Sequence, residues 1–151
     1  MKITVSSDEA SLLVDAVIEE VLKRGHEVTY IGPRVGDPAS DEYDWPVVTL
    51  RAVAKVAAGQ ADEAVVMCWT GTGASLAANK VPGIRAALCH DAETAKGARI
   101  WNHANVLALS LRATPIPIAR EILDAWFGTV VSTDEWNLKQ IERIRRIEQG
   151  I

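Results

Sequence analysis

The chain has 151 residues, of which 48% are hydrophobic and 24% charged, and its formal net charge is −4. This length and composition are typical of an ordinary globular protein, and we expect residues 1–151 to form a single domain. The acidic balance argues against a nucleic-acid partner, and no apolar run is long enough to span a membrane. The start of the chain lacks the pattern of a signal peptide. The two cysteines lack the spacing of a disulfide framework, which is typical of a reducing compartment, so we expect a cytoplasmic protein.

Short β-rich runs alternate with segments of helical periodicity along the chain. The predicted strands, in order, are Lys2–Ser6, Glu27–Gly32, Glu63–Cys68, Ile84–Cys89 and Asn105–Ser110. The predicted helices lie at 8–25, at 46–58, from residue 73 onward, at 91–101 and at 115–128. The polar, turn-rich segment 33–44 is predicted to be a surface loop.

Nearly all-apolar strands that alternate with helices are typical of a parallel sheet covered on both faces. We therefore predict an α/β fold with one doubly wound, five-stranded parallel sheet, a Rossmann-like three-layer sandwich. Segment 134–149 has apolar residues three apart, which predicts a trailing C-terminal helix. This helix could pack on its own domain or on a partner subunit. We expect the second arrangement, in a homodimer, with a homotetramer as the alternative.

The stretch VVMCWTGTGASLAANK, residues 65–80, gives the strongest functional signal. A predicted strand ends at Cys68, and a glycine-punctuated turn leads into a helix. Ligands of open α/β sheets bind beyond the carboxyl ends of the strands, and Gly71 and Gly73 let backbone N–H groups approach a ligand. The turn lacks the lysine of a nucleotide-binding loop, and Leu76 is too large for a dinucleotide fingerprint. We therefore predict an anion or oxyanion site.

Two interpretations of Cys68 remain open on the residues alone. Backbone N–H groups at the start of a helix favour a thiolate, so Cys68 could be a base or nucleophile, with the Thr70 hydroxyl near a developing oxyanion. Cys68 could equally be a small apolar residue that ends a buried strand. Cys89 is predicted to be only the latter, because no glycine turn follows it. The sequence Cys-His-Asp at 89–91 has ligand residue types without the spacing of a metal site.

Residues 68–91, CWTGTGASLAANKVPGIRAALCHD, closely resemble the ribose-5-phosphate isomerase B and galactose-6-phosphate isomerase family. The resemblance extends to SSDEA near the start and to DWP, WNHANVLALSLR and ILDAWF, so it spans nearly the whole chain. It implies aldose–ketose isomerisation of a sugar phosphate through an enediolate, without a metal or other cofactor. It also implies a dimer whose sites combine residues of two subunits.

The resemblance also assigns roles to individual positions. Cys68 would be the base that moves a proton between C1 and C2, Thr70 would assist proton transfer between the oxygens, and the backbone at 71–73 would hold the enediolate oxygen. The further positions implied in substrate binding are Asp8, Thr72, Ser75, Asn102 and Arg112, the last of these towards the phosphate.

The chain departs from the family pattern at several of these places. Trp101 stands where the family has a histidine that opens the sugar ring, and His103 is the nearest candidate to replace it. Glu9 replaces a histidine that contacts the phosphate, and Trp69 replaces the first loop glycine, which should narrow the site. The family binds phosphate through cationic residues near its C-terminus. At the matching positions, 135–139, this chain keeps one cation, Lys139.

These departures leave further possibilities for the substrate. A chain without the ring-opening histidine could prefer an open-chain sugar, such as a tetrose phosphate, and the thinned phosphate contacts could favour an unphosphorylated sugar. The chain could also be a non-catalytic sugar- or anion-binding regulatory domain, although retention of Cys68 and Thr70 favours an enzyme. Four tryptophans could stack on a sugar: Trp45, Trp69, Trp101 and Trp136.

Overall fold

A computed structural model describes residues 1–150 of the chain. Its strands are β1 (Lys2–Ser7), β2 (Glu27–Ile31), β3 (Glu63–Cys68), β4 (Ala86–Leu88) and β5 (Val106–Ser110). Its α-helices are α1 (Leu12–Lys23), α2 (Trp45–Ala57), α3 (Thr72–Ala78), α4 (Ala92–Asn102), α5 (Ile116–Gly128) and α6 (Glu135–Glu148). A 3-10 turn at Asp41–Tyr43 interrupts the predicted surface loop before α2. None of the helices in residues 1–150 is both long and apolar enough to cross a membrane.

The five strands form one parallel sheet in the order β2-β1-β3-β5-β4. Helices α1, α4 and α5 bury their apolar side chains against one face, and α2 and α3 cover the other. Alternate residues of β3 serve the two faces: Val65 and Met67 pack with the first helix layer, and Val66 and Cys68 with the second. The predicted three-layer α/β sandwich is therefore confirmed.

The edge strand β4 is shorter than the sequence predicted, because side chains take over the backbone hydrogen bonds around it. The Asn79 amide accepts from the Ala86 N–H and donates to the Ala86 carbonyl, both at 2.9 Å. The Asn105 side chain accepts from the Arg85 N–H at 2.8 Å. The Asn79 amide occupies positions that another strand would use, and so protects an otherwise open sheet edge, whereas Asn105 binds Arg85 on the side that faces β5.

A buried ion pair joins three elements at the amino-terminal ends of the strands. Glu63 begins β3, and its carboxylate lies 2.7 Å from the guanidinium of Arg99 on α4. The same carboxylate accepts the indole N–H of Trp126 on α5, also at 2.7 Å. The pair therefore lies at the opposite end of the strands from their carboxyl ends, where ligands of such sheets bind.

The trailing helix α6 forms as predicted and leaves much of its apolar surface uncovered within one chain. Trp136 and Ile147 are 66% and 71% exposed. The helix begins at Asp134, whose carboxylate accepts the Asn137 N–H at 2.9 Å, and Glu148 near its end accepts the Gly83 N–H at 3.0 Å. The first of these bonds caps the helix itself and the second joins its end to the domain, while apolar side chains along it are exposed.

Candidate active site

A cavity lies at the carboxyl ends of β1 and β3, where the sequence predicted the site. Its volume is about 320 Å³. Ser7 of β1 pairs with Met67 of β3, so Asp8 and Cys68 are the next residues along two neighbouring strands, which lie about 5 Å apart in such sheets. The lining residues are Asp8, Trp45, Cys68, Trp69, Thr70, Thr72 and Gly73.

The side chain of Cys68 lines this cavity and is almost fully buried. It is 5% exposed, and its Sγ accepts the backbone N–H of Ala74 at 3.4 Å. That N–H belongs to the first turn of α3, where backbone donors have no acceptor within the helix. The thiol is therefore held by a donor that stabilises negative charge on sulfur, as a base requires.

The turn after Cys68 depends on glycine at position 71. Gly71 has a φ of +76°, which side-chain-bearing residues rarely adopt, and its N–H donates to the Cys68 carbonyl at 3.2 Å. A Cβ at Gly71 would lie 2.6 Å from Leu88 and 2.9 Å from the backbone of Leu109. This tight packing fixes the two threonines on either side of Gly71 relative to Cys68.

Those two threonines form a hydrogen-bonded hydroxyl pair. The Oγ atoms of Thr70 and Thr72 lie 2.7 Å apart, and both residues are exposed at the mouth of the cavity. A hydroxyl both donates and accepts, so the pair can pass a proton between two neighbouring substrate oxygens.

Asp8 is the acidic group of the cavity, and it is half-buried. Burial raises its pKa above the ordinary aspartate value, and the nearby charges of Glu9 and Asp44 act in the same direction, while a hydrogen bond from its own backbone opposes them. Its Oδ1 is enclosed and has no hydrogen-bond partner within residues 1–150. Asp8 therefore retains a larger share of its neutral acid form than an exposed aspartate at the same pH.

Two indoles form the walls of the cavity. Trp69 follows Cys68 directly, lines the cavity and is 53% exposed. Trp45 opens α2, and its ring lies so close to Gly73 that a Cβ there would be 3.0 Å from a ring carbon. The sequence marked Trp45 only as one of four tryptophans that could stack on a sugar. The available signal was its place in the Asp-Trp-Pro motif at the start of a helix.

Three other predicted binding residues lie around the cavity rather than in its lining. Glu9 borders an adjoining cavity of about 620 Å³, which shares Asp8 and Trp45 with the first. Arg112 follows β5, is exposed, and donates its backbone N–H to the Trp69 carbonyl at 3.0 Å. Ser75 lies in α3, where its backbone N–H donates to the Gly71 carbonyl at 3.0 Å, and it does not line the cavity.

The remaining predicted site residues do not line the Cys68 cavity of their own chain. Trp101 packs its ring on Gly97 of the same helix, and Asn102 borders a separate cavity between the β4 edge and α6. The imidazole Nε2 of His103 lies 2.7 Å from the carbonyl oxygen of Ser132. Lys139 is exposed on α6.

Comparison with known proteins places the chain in a family. It matches the family model described as Ribose/Galactose Isomerase over residues 3–147. It is 33% identical over 138 residues to ribose-5-phosphate isomerase B of Escherichia coli, covering 91% of this chain and 89% of that protein. It is 32% identical over 128 residues to D-erythrulose-4-phosphate isomerase 2 of Mycolicibacterium smegmatis, covering 85% and 84%.

A solved structure gives the same result. The type B ribose 5-phosphate isomerase of Trypanosoma cruzi superposes with a TM-score of 0.90 at 33% identity, covering 100% of both chains. The chain therefore belongs to the ribose/galactose isomerase family, and the predicted class of enzyme, a sugar isomerase of this family, is confirmed.

Proposed function

We propose that this chain is an aldose–ketose isomerase that acts on a small sugar phosphate through an enediolate, with Cys68 as the base. The observation that carries this proposal is the convergence of Cys68, Asp8 and the Thr70–Thr72 hydroxyl pair on one cavity. The relatives named above are isomerases of a four-carbon and a five-carbon sugar phosphate. A site built only to bind a sugar has no need of a thiol held by a backbone donor.

In the proposed reaction, the Cys68 thiolate takes the proton from the carbon next to the substrate carbonyl. The electron pair moves into a carbon–carbon double bond, and the carbonyl oxygen becomes the enediolate oxygen. Cys68 then returns the proton to the neighbouring carbon, while the Thr70–Thr72 pair transfers the hydroxyl proton between the oxygens. The atoms of substrate and product are the same, and the thiolate is regenerated.

Backbone donors in the turn after Cys68 would hold the enediolate oxygen. The Gly71 N–H donates to the Cys68 carbonyl and the Ala74 N–H to the thiol. The N–H groups of Thr72 and Gly73 open α3, where a helix offers them no acceptor. These two donors therefore take the oxyanion in our proposal, because donors that are already oriented stabilise charge without reorganisation.

The proposal includes a cytoplasmic homodimer in which each cavity is completed by the partner subunit. Arg112 has no ion pair among the described residues and lies beside the cavity mouth, where it would attract a phosphate. The partner's chain would supply its copies of Trp101, Asn102 and Lys139, which lie outside the cavity of their own chain. The exposed apolar side of α6 supports such a contact, since uncovered apolar surface favours association.

A tetrose phosphate is the second candidate substrate. Such a sugar, with its terminal oxygen phosphorylated, cannot close the five-membered ring that a pentose phosphate forms, so it needs no ring-opening group. Trp101 in place of the ring-opening histidine favours this candidate, and so does the relative that is named for D-erythrulose 4-phosphate.

The proposal is tested by an interconversion assay on tetrose, pentose and hexose phosphates and their free sugars. We expect Cys68→Ala to lower kcat on the preferred substrate by about 10²- to 10⁴-fold, the range for loss of a general base. Cys89→Ala removes the other free thiol, which is buried outside the cavity, and should retain most of the activity of the folded protein. Equal activity of wild-type protein and Cys68→Ala would refute Cys68 as the base. A preference for a free sugar would refute the phosphorylated substrate.

A further inference from the structure

A sugar phosphate of five or six carbons presents a chemical problem to this cavity. Such sugars exist mainly as cyclic hemiacetals, whereas an enediolate forms only from the open-chain carbonyl. Ring opening requires one proton to reach the ring oxygen and another to leave the anomeric hydroxyl. Of the side chains in residues 1–150 that line the cavity, only the Asp8 carboxyl and the Cys68 thiol are common acid–base groups. Cys68 is already assigned to the C–H proton, which leaves Asp8 for ring opening.

We propose that Asp8 opens the sugar ring, acting as a carboxylic acid that donates and accepts a proton in one step. One carboxyl oxygen gives its proton to the ring oxygen as the bond from the anomeric carbon to that oxygen breaks. The other carboxyl oxygen takes the proton of the anomeric hydroxyl as the carbonyl forms. The carboxyl group ends neutral with its two oxygens exchanged, so no proton is gained or lost. This inference rests on the proposed function.

The position of Asp8 fits this role. It follows the β1 residue that pairs with Met67, so it stands beside Cys68 across neighbouring strands. It lines both the Cys68 cavity and the adjoining larger cavity, and its enclosed Oδ1 has no partner within residues 1–150. A hemiacetal whose anomeric carbon lies near Cys68 would therefore bring its oxygens to a carboxyl group that is not engaged elsewhere.

The charges around Asp8 favour its acid form. Glu9 beside it and Asp44 before α2 are acidic and raise its pKa in addition to the effect of burial. Tyr30 on β2 remains neutral, because burial raises its own pKa to about 12. The nearest cation of the adjoining cavity, Arg34, lies over the Tyr30 ring at 4.3 Å.

Asp8→Asn tests the inference, because asparagine keeps the shape of the side chain and cannot transfer a proton in this way. We expect kcat on a pentose phosphate to fall about 100-fold or more, the effect typical of losing an acid–base group. Activity on a tetrose phosphate should fall by a much smaller factor, because that substrate loses a contact in the cavity and needs no ring opening. Glu121→Gln is the matched control, since it removes an exposed carboxylate of α5 outside both cavities and should keep the activity on both substrates.

The pH dependence gives a second measurement. With wild-type protein, kcat on the pentose phosphate should fall as the pH rises through the raised pKa of Asp8, because the acid form is lost. This fall should be absent with the tetrose phosphate. An equal loss on both substrates in Asp8→Asn would overturn the ring-opening role and leave the isomerase proposal intact, as would a wild-type enzyme that uses only the tetrose phosphate. No activity on any sugar would overturn both proposals.

Discussion

The half-buried carboxyl of Asp8 should reduce the stability of the fold at neutral and alkaline pH. Its pKa in the folded protein is raised above the unfolded value, mainly by burial. For such a group the stabilising contribution is present at low pH and is lost as the pH rises through the folded pKa. Residues that serve a reaction often carry a cost of this kind.

Asp8→Asn should therefore raise Tm at pH 8 by a few degrees, since 1 kcal/mol corresponds to about 2 to 4 °C in a chain of this size. The gain should shrink as the pH falls through the raised pKa of Asp8 and vanish below the ordinary pKa of aspartate, where the side chain is neutral in both the folded and the unfolded protein. Thermal unfolding at a series of pH values measures this. Glu121→Gln, at an exposed acid of α5, serves as the control and should leave Tm nearly unchanged. A Tm of Asp8→Asn below that of wild type at pH 8 would contradict the effect of burial described here.

At the scale of the elements, the Glu63–Arg99–Trp126 contact holds β3, α4 and α5 together. Burial raises the pKa of Glu63, while Arg99 and the Trp126 indole N–H act in the opposite direction. The guanidinium of Arg99 also lies 5.0 Å from the centre of the Trp126 ring and donates to the Ala104 carbonyl at 2.5 Å. Removing one member of such a pair leaves the other buried without its partner.

Arg99→Met should lower the free energy of unfolding by about 3 to 5 kcal/mol, the cost of breaking a buried ion pair. The double variant Glu63→Gln/Arg99→Met should lose less than Arg99→Met alone, because no uncompensated charge then remains. Urea unfolding measures both values. The kcat of the folded variants should match wild type, since the pair lies at the amino-terminal end of β3 and the cavity lies at its carboxyl end. A cost below 1 kcal/mol for Arg99→Met would show that Glu63 finds other compensation.

Much of the element pattern could be predicted from the sequence. Each predicted strand forms, because apolar runs bounded by turns determine strands locally. The placement of β5 between β3 and β4 could not be predicted, since it depends on how the helices pack across the sheet. The length of β4 was overestimated because the Asn79 side chain replaces a neighbouring strand, which no periodicity indicates.

The site was predictable to the extent that it is local in the chain. Cys68 ends one strand, Thr70, Thr72 and Gly73 follow it within five residues, and Asp8 follows the neighbouring strand, so all of them line one cavity. Residues 101–103 lie at the end of α4. Because that helix packs on α5, these residues are outside the Cys68 cavity of their own chain. A motif in the sequence does not indicate which subunit's cavity its residues reach.

At the scale of the whole molecule, shared cavities predict that two inactive variants restore activity to each other. Cys68→Ala removes the proposed base, and Asn102→Ala removes a contact that we assign to the partner's cavity. In a mixture refolded together, a heterodimer has one cavity with both substitutions and one with neither. About half of the dimers would be mixed, so activity should recover to about a quarter of wild type.

The control for this experiment is Cys68→Ala mixed with Cys68→Ala/Asn102→Ala, which cannot form an intact cavity. Sedimentation of the wild-type protein should show a dimer. Heterodimers that form without recovery of activity would mean that Asn102 serves the cavity of its own chain or none. A monomer with full activity would refute the shared cavity and the proposed role of α6.

Proton NMR in D2O, with tetrose, pentose and hexose phosphates beside their free sugars, tests the proposed chemistry most directly. Proton transfer by Cys68 through an enediolate should introduce deuterium at C1 or C2 of the preferred sugar phosphate, because the thiol exchanges its proton with solvent. Cys68→Ala should abolish this incorporation, and Cys89→Ala should retain it. Isomerisation by folded Cys68→Ala with the same deuterium incorporation, or no incorporation into any sugar by wild-type protein, would contradict Cys68 as the base of an aldose–ketose isomerase.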